Sequence, residues 1–266
     1  GLADGQSVTF PVTTGRLHDI EELPQAGWAI SSATCDRGLW LRDRRLIFFF
    51  ATPGQHITCT FVNETAGTVT IRKVAEPADG EQFTFDDWGD TRPLGDGDPF
   101  VLGDGGEQVF TGVAPGDYLL QERPEPGWAL GAVTCTGGPG PALVDHYDEV
   151  FEFSVGPGDD VVCTVTNVLI GHLTIRKDAR PNDDQLFRFS SHTIPGLSPF
   201  PLTDDGGEAN QVTLDIVPGI PTDIYELVPE GWTLSDATCD AGDWTYSPES
   251  HAVTVTLLVD QAATCT

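Results

Sequence analysis

The chain has no methionine, only 13 lysines and arginines together, and no long apolar run. Its longest greasy stretch, Leu46-Ile-Phe-Phe-Phe-Ala51, is strand-sized, far short of the roughly eighteen residues of a membrane-spanning helix. Against 41 acidic side chains the few basic ones leave a formal net charge of -28. A surface this acidic repels phosphate backbones and anionic headgroups, which excludes nucleic acid and membrane surface as partners. No segment carries an apolar stripe at helical spacing, and no Cys-x-x-Cys suggests zinc. Histidines 18, 56, 146, 172, 192 and 251 are scattered, with no Ser–His–Asp arrangement and no glycine-rich phosphate loop, so no enzyme with turnover is expected. The chain opens at Gly1 without an initiator Met or a signal pattern, which reads as processed, cut or incompletely represented.

Glycine (30) and proline (20) are plentiful and spread between patterned segments, as expected of many turns joining short strands. Six cysteines, six tryptophans and fourteen phenylalanines argue for packed cores rather than an acidic disordered tail.

Internal repetition organises the chain. Gly67-Thr-Val-Thr-Ile-Arg-Lys73 returns as Gly171-His-Leu-Thr-Ile-Arg-Lys177, 104 residues on. Gly127-Trp128 followed by Cys135 returns as Gly231-Trp232 followed by Cys239, and Gly27-Trp28 with Cys35 is an earlier copy. Cys59-Thr-Phe-Val-Asn63 matches Cys163-Thr-Val-Thr-Asn167. Three units follow: 1–66, a partial repeat lacking its first strands; 67–170, complete; and 171–266, lacking its last strand end. Three full periods would need 312 residues, 46 more than are present. Two explanations stand: a window cut from a longer tandem array, or a subunit whose open ends neighbouring copies complete by strand addition.

Period-two alternation runs through Val69, Ile71 and Lys73, through Phe83 and Phe85, through residues 149–155, and through Val161, Cys163, Val165 and Asn167. Turn signals such as Asp104-Gly-Gly106 and Pro157-Gly158 separate them. About seven short strands per unit predict an all-β chain of tandem Greek-key β-sandwiches. The cysteines fall two per unit, which predicts one disulfide in each: Cys35–Cys59, Cys135–Cys163 and Cys239–Cys265. Such pairing places the chain in an oxidising compartment, extracellular or at the cell surface.

The alternation also directs polar groups inward. Lys73 shares a face with Val69 and Ile71, and Asn167 shares one with Cys163 and Val165. Glu122, six residues before Trp128, recurs as Glu226 and Glu22. A buried Lys, Asn and Glu can form a hydrogen-bonded network. Alternatively, burial lowers the lysine pKa and raises that of the acid, so the neutral amine attacks the carboxamide and an amide crosslink forms in a single turnover.

With these residues the sequence resembles the SpaA-like or CnaB-like prealbumin-fold domains of bacterial surface proteins and pilus shafts. The Thr-Ile-Arg-Lys73 strand, the segment from Pro115-Gly-Asp-Tyr118 through Glu122 to Trp128, and the closing Cys163-Thr-Val-Thr-Asn167 carry the resemblance. It implies a stalk, adhesin or pilin and, in many members, a Lys–Asn isopeptide bond with a catalytic acid. Carried over, the full trio is Lys73, Glu122 and Asn167, while Lys177 with Glu226 and Glu22 with Asn63 are incomplete equivalents. The disulfides depart from that pattern and look like an alternative staple.

Other features are weaker. Asp86, Asp87, Asp90, Asp96 and Asp98 crowd one loop that calcium would suit, although none matches a spaced ligand loop and solvated acidic turns explain them better, and no other cofactor is expected. Asn63-Glu-Thr65 is a glycosylation sequon that competes with an inward Asn63. Trp28, Trp128 and Trp232 are expected as core plugs or interdomain contacts, and Trp40, Trp88 and Trp244 as exposed. The expected function is a structural extracellular stalk or self-assembling filament whose partners are copies of itself, with a ligand-binding adhesion module as the alternative.

Overall fold

The computed structural model describes the chain apart from residues 44, 79, 89–92, 147, 195 and 207–209 and the side chains of 39–43. Residues 1–66 contribute β1 (Leu17–Glu21), β2 (Trp28–Cys35), β3 (Leu39–Asp43), β4 (Leu46–Phe50) and β5 (Cys59–Thr65). The next unit holds β6 (Gly67–Glu76), β7 (Gln82–Asp87), β8 (Phe100–Gly103), β9 (Glu107–Val113), β10 (Gly116–Glu122), β11 (Trp128–Thr136), β12 (Leu143–Asp145), β13 (Val150–Val155) and β14 (Asp160–Leu169). From residue 171 follow β15 (Gly171–Arg176), β16 (Asp183–Ser190), β17 (Phe200–Asp204), β18 (Gln211–Ile216), β19 (Thr222–Leu227), β20 (Asp243–Ser247), β21 (Ala252–Thr256) and β22 (Ala262–Cys265). Among the described residues there is no α-helix, and no helix is long and apolar enough to cross a membrane.

The middle unit is a sandwich of a four-stranded sheet, β11-β14-β6-β9, and a five-stranded one, β12-β13-β10-β7-β8. Nine strands form it rather than about seven, the additions being the short β8 and β12. Its first and last strands, β6 and β14, are parallel neighbours, with Val69 opposite Val161, Lys73 opposite Val165 and Ala75 opposite Asn167. Alternate residues of β6 face the core, where Val69, Ile71, Phe83, Phe85, Phe151 and Val165 are sealed from solvent. Gly67 starts the unit for a steric reason: a Cβ there would stand 2.7 Å from the Asp159 carbonyl oxygen and 2.9 Å from Val155.

The flanking units repeat parts of this plan. Residues 171–266 build sheets β18-β15-β22 and β17-β16-β19-β21-β20 around Leu173, Phe187, Ile224 and Val255. Here residues 232–238 form no strand, and pairing with β22 begins only near Cys239 and Cys265. In residues 1–66 a two-stranded sheet, β2-β5, and a three-stranded one, β1-β4-β3, share a small core of Ala33, Cys35 and Ile47. Disulfides join Cys35 to Cys59, Cys135 to Cys163 and Cys239 to Cys265. The first two link directly opposed residues of β2 and β5 and of β11 and β14.

The tryptophans divide. Trp128 is buried edge-on against Phe83, and Trp232 meets Phe187 the same way, with ring centroids 5.4 and 5.0 Å apart. Trp28 does not behave as a core plug: it is 52% exposed. Phe83 and Phe187 lie on β7 and β16, elements with no counterpart in residues 1–66, so among the described residues no phenylalanine meets its ring edge-on. Trp88 is exposed, Trp244 instead packs partly buried against the third core, and the Trp40 side chain lies outside the described residues.

Candidate functional site

Lys73, Glu122 and Asn167 come from β6, β10 and β14 and meet inside the middle sandwich, each 1% exposed or less. The Lys73 ammonium donates to the Asn167 carboxamide oxygen, and Asn167 Nδ2 donates to Glu122 Oε1. Glu122 Oε2 lies 3.6 Å from Lys73 Nζ. One carboxylate oxygen therefore serves the amine and the other the carboxamide nitrogen. The Phe83 ring covers the amine at 3.9 Å, and Nζ also reaches the Val74 carbonyl at 3.2 Å. This crowded apolar setting follows from the strand phase of β6, which buries position 73 as surely as positions 69 and 71.

Burial dominates the electrostatics. It pushes the Lys73 amine down to about 8 against the opposing pull of Glu122, and it raises the Glu122 carboxyl to about 6 despite the nearby lysine. Proton transfer from lysine to glutamate is thereby made easier than in water. A neutral amine, an adjacent carboxamide and a bridging acid are the components of amide exchange.

A second acid lies beside the trio, in phase with the buried Phe151 and Phe153. Glu149 is 7% exposed, and burial with the neighbouring Glu122 charge raises its carboxyl to about 7. Its backbone carbonyl accepts the Glu122 N–H at 2.9 Å. The signal lies in the repeat: Glu226 N–H bonds the His251 carbonyl, and Glu22 N–H that of Arg45, in the same way.

The incomplete equivalents behave differently. Lys177 and Glu226 are both buried and pair directly at 3.0 Å, under the Phe187 ring, beside a cavity of about 560 Å³ lined also by Trp232 and His251. Glu22 accepts the Asn63 carboxamide at 2.6 Å, but Asn63 is exposed rather than inward-facing. Among the described residues no counterpart of β6 or β9 pairs alongside β5, which leaves Asn63 exposed.

The calcium candidates do not converge. Asp86 is engaged by Arg123, Asp87 accepts the Leu94 N–H at 3.0 Å, and Asp90 lies outside the described residues. Asp96 and Asp98 join no cluster either: among the described residues no group of three or more metal-ligating side chains forms.

Residues 64–165 match the sequence family described as a prealbumin-like fold domain, SpaA type. The middle unit is thus similar to a prealbumin-like domain. That match runs from β6 to most of β14 and includes Lys73 and Glu122, while Asn167 lies two residues past its end. No curated protein sequence matches the chain. Among solved structures, similarity is found to the Bacillus anthracis TIE protein at 12% identity, over 93% of this chain and 51% of that one, with a TM-score of 0.25. The chain thus spans about half of that relative's length. The major pilin T-13 of Streptococcus pyogenes is similar at 13% identity over 75% of this chain and 95% of its own, TM-score 0.28. The shaft pilin SpaA of Lactobacillus rhamnosus GG is similar at 12% over 76% and 97%, TM-score 0.23.

Proposed function

We propose that the chain is a load-bearing part of an extracellular structural protein, a stalk or filament, whose prealbumin-like unit is closed by an amide bond between Lys73 and Asn167. The observation that carries this reading is the buried trio spanning β6 and β14. These are the unit's first and last strands, side by side and parallel, so a pull on its two ends shears one directly from the other. A covalent bond between residues 73 and 167 takes that load and leaves the intervening chain outside the force path.

The chemistry balances within the three side chains. Lys73 passes one proton to Glu122, and the neutral nitrogen attacks the Asn167 carboxamide carbon. The new C–N bond forms as the bond to Nδ2 breaks. Nδ2 leaves as ammonia, taking a proton from the attacking nitrogen by way of Glu122, and the original lysine proton departs with it as ammonium. Glu122 is the catalytic residue, placed between attacking and leaving nitrogens. No turnover follows, since the product stays in the chain. The disulfides support an oxidising, extracellular setting.

Intact mass of the reduced protein tests the reading, followed by peptide mapping. Loss of one ammonia and a branched peptide joining the Lys73 and Asn167 segments are expected. An unmodified Lys73 peptide at full mass would defeat the crosslink.

A further inference from the structure

Two strands of the first unit repeat the frame that holds Asn167 in the middle one. β2 and β5 pair as β11 and β14 do: Ile30 stands opposite Asn63 and Cys35 opposite Cys59, as Leu130 opposes Asn167 and Cys135 opposes Cys163. Even the bulge recurs, between Ile30 and Ser32 and between Leu130 and Ala132. In the middle unit β14 lies between β11 and β6. Among the described residues β5 pairs with β2 alone, so its other edge offers backbone groups to a further strand.

The side chains at that edge are already set. Asn63 Nδ2 donates to Glu22 Oε1 at 2.6 Å, the contact that Asn167 makes with Glu122. Glu22 Oε2 is buried and has no hydrogen-bond partner among the described residues. Its equivalent, Glu122 Oε2, is the oxygen that lies 3.6 Å from Lys73 Nζ. A cavity of about 980 Å³ adjoins the pair, lined by Glu22, Trp28, Arg45 and Asn63 and by Thr111 and Tyr118 of the middle unit. Phe61 is half-buried and Asn63 exposed, where Val165 and Asn167 are sealed.

We propose that the free edge of β5 docks a lysine-bearing extended strand of the Gly-Thr-Val-Thr-Ile-Arg-Lys kind, running parallel to β5 with its ammonium held by Glu22 and Asn63. The middle unit gives the register: Lys73 stands opposite Val165, so the incoming lysine stands opposite Phe61. Main-chain pairing would admit any extended segment, and the side chains make the selection. The buried carboxylate oxygen favours a cation, the carboxamide oxygen accepts a second N–H, and Glu21, Glu22 and Glu64 repel an acidic strand. The topology argues against a second copy of residues 1–266. Its only lysines are Lys73 on β6, which lies between β14 and β9, and Lys177 just past β15, which lies between β18 and β22. Both strands are paired on both edges, so the occupant is a lysine strand of another repeat of this kind. Docking makes and breaks no covalent bond and stands apart from the crosslink reading.

The test uses the whole chain and a fluorescent, end-capped peptide with the sequence of residues 67–76, followed by anisotropy near neutral pH. Saturable binding is expected, with slowed amide hydrogen exchange confined to residues 59–65. A peptide with glutamine in place of the lysine should bind about thirtyfold more weakly, the low end for removing one partner of a buried charge pair. E22Q should weaken the lysine peptide to a similar degree and leave the glutamine peptide unchanged. No saturable binding, equal binding of the two peptides, or protection elsewhere in the chain overturns the proposal. Should E22Q not fold, the two peptides on the unaltered chain still carry the comparison. Sedimentation of the chain alone tests the occupant. A monomer supports the assignment, and a dimer that the lysine peptide dissociates overturns it in favour of a second copy.

Discussion

Lys73 and Asn167 occupy the first and last strands of one sandwich, two residues apart in parallel register, with the amine donating to the carboxamide oxygen. Asn167 also holds the amine away from its acid. Lys73 and Glu122 stand 3.6 Å apart with the carboxamide between them, whereas Lys177 and Glu226, which have none, close to 3.0 Å. Asn167→Ala should therefore let Lys73 and Glu122 pair directly, preserving the fold while removing the crosslink. The proposed bond would close a loop of 94 residues. By the chain-entropy argument used for disulfides, its loss costs about 4–5 kcal/mol. Urea unfolding of the two proteins checks this, and coincident curves would contradict it.

Breaking the ion pair from one side should do more harm than replacing both partners. Lys73→Ala leaves Glu122 buried without its cation, which costs about 3–5 kcal/mol. A double change, Lys73→Met with Glu122→Leu, removes both charges at similar volume and should recover much of that loss. Thermal unfolding of the single and double variants in an Asn167→Ala background separates this effect from the crosslink. A double variant less stable than Lys73→Ala would refute the argument.

The trio was legible because alternation in a strand assigns a face, and a lysine in phase with Val69 and Ile71 has to point inward. Composition holds a sharper signal: Lys73 and Lys177 are the only lysines in the chain, and both are buried. Alternation names no partner strand, so the parallel contact of β6 with β14 was not legible. Glu149 was in phase with Phe151, Phe153 and Val155 in the alternation through 149–155, yet it lies just outside β13 at a left-handed residue, and alternation named no polar neighbour for it. As a core plug, Trp28 misled for the opposite reason. Its local motif, Gly-Trp after a positive-φ glycine, repeats faithfully, but burial depends on a phenylalanine far along the chain.

That difference gives a paired prediction. Trp128→Ala should destabilise the middle unit by about 3–5 kcal/mol through lost burial and the edge-on contact with Phe83. Trp28→Ala, at an exposed ring, should change stability by no more than about 0.5 kcal/mol. Iodide quenching of fluorescence provides a second readout, with Trp28 accessible and Trp128 shielded. Equal effects of the two substitutions would remove the distinction.

Without the crosslink, stability should pass through a minimum near neutral pH. Glu122 and Glu149 have folded values raised from 4.5 to about 6 and about 7, so the folded state binds extra protons between those limits. Their contribution is full below about pH 4.5 and is lost as pH rises to about 7. Lys73 is lowered from 10.5 to about 8, so there the unfolded state binds the extra proton and stability climbs from about pH 8 upward. In Asn167→Ala, where the direct Lys73–Glu122 pairing makes the dip shallower, urea midpoints measured across this range should still fall between about pH 7 and 8. Adding Glu149→Gln should flatten the acidic side of the dip. A profile that rises steadily through neutrality would contradict the assignments.

Crosslink and disulfide should also be separable by force. The Cys135–Cys163 bond lies inside the stretch from 73 to 167, off the path that would run through the proposed crosslink. Stretching the unaltered unit by its ends should release little chain, before or after reduction, because residues 73 and 167 stay joined. Asn167→Ala opens the unit, but the intact disulfide still bypasses 28 residues. At about 3.5 Å per residue, reduction should then lengthen the released chain by roughly 100 Å. Single-molecule pulling measures these increments directly. A full-length release from the unaltered protein would show that β6 and β14 are joined by no covalent bond, whatever the packing of their side chains.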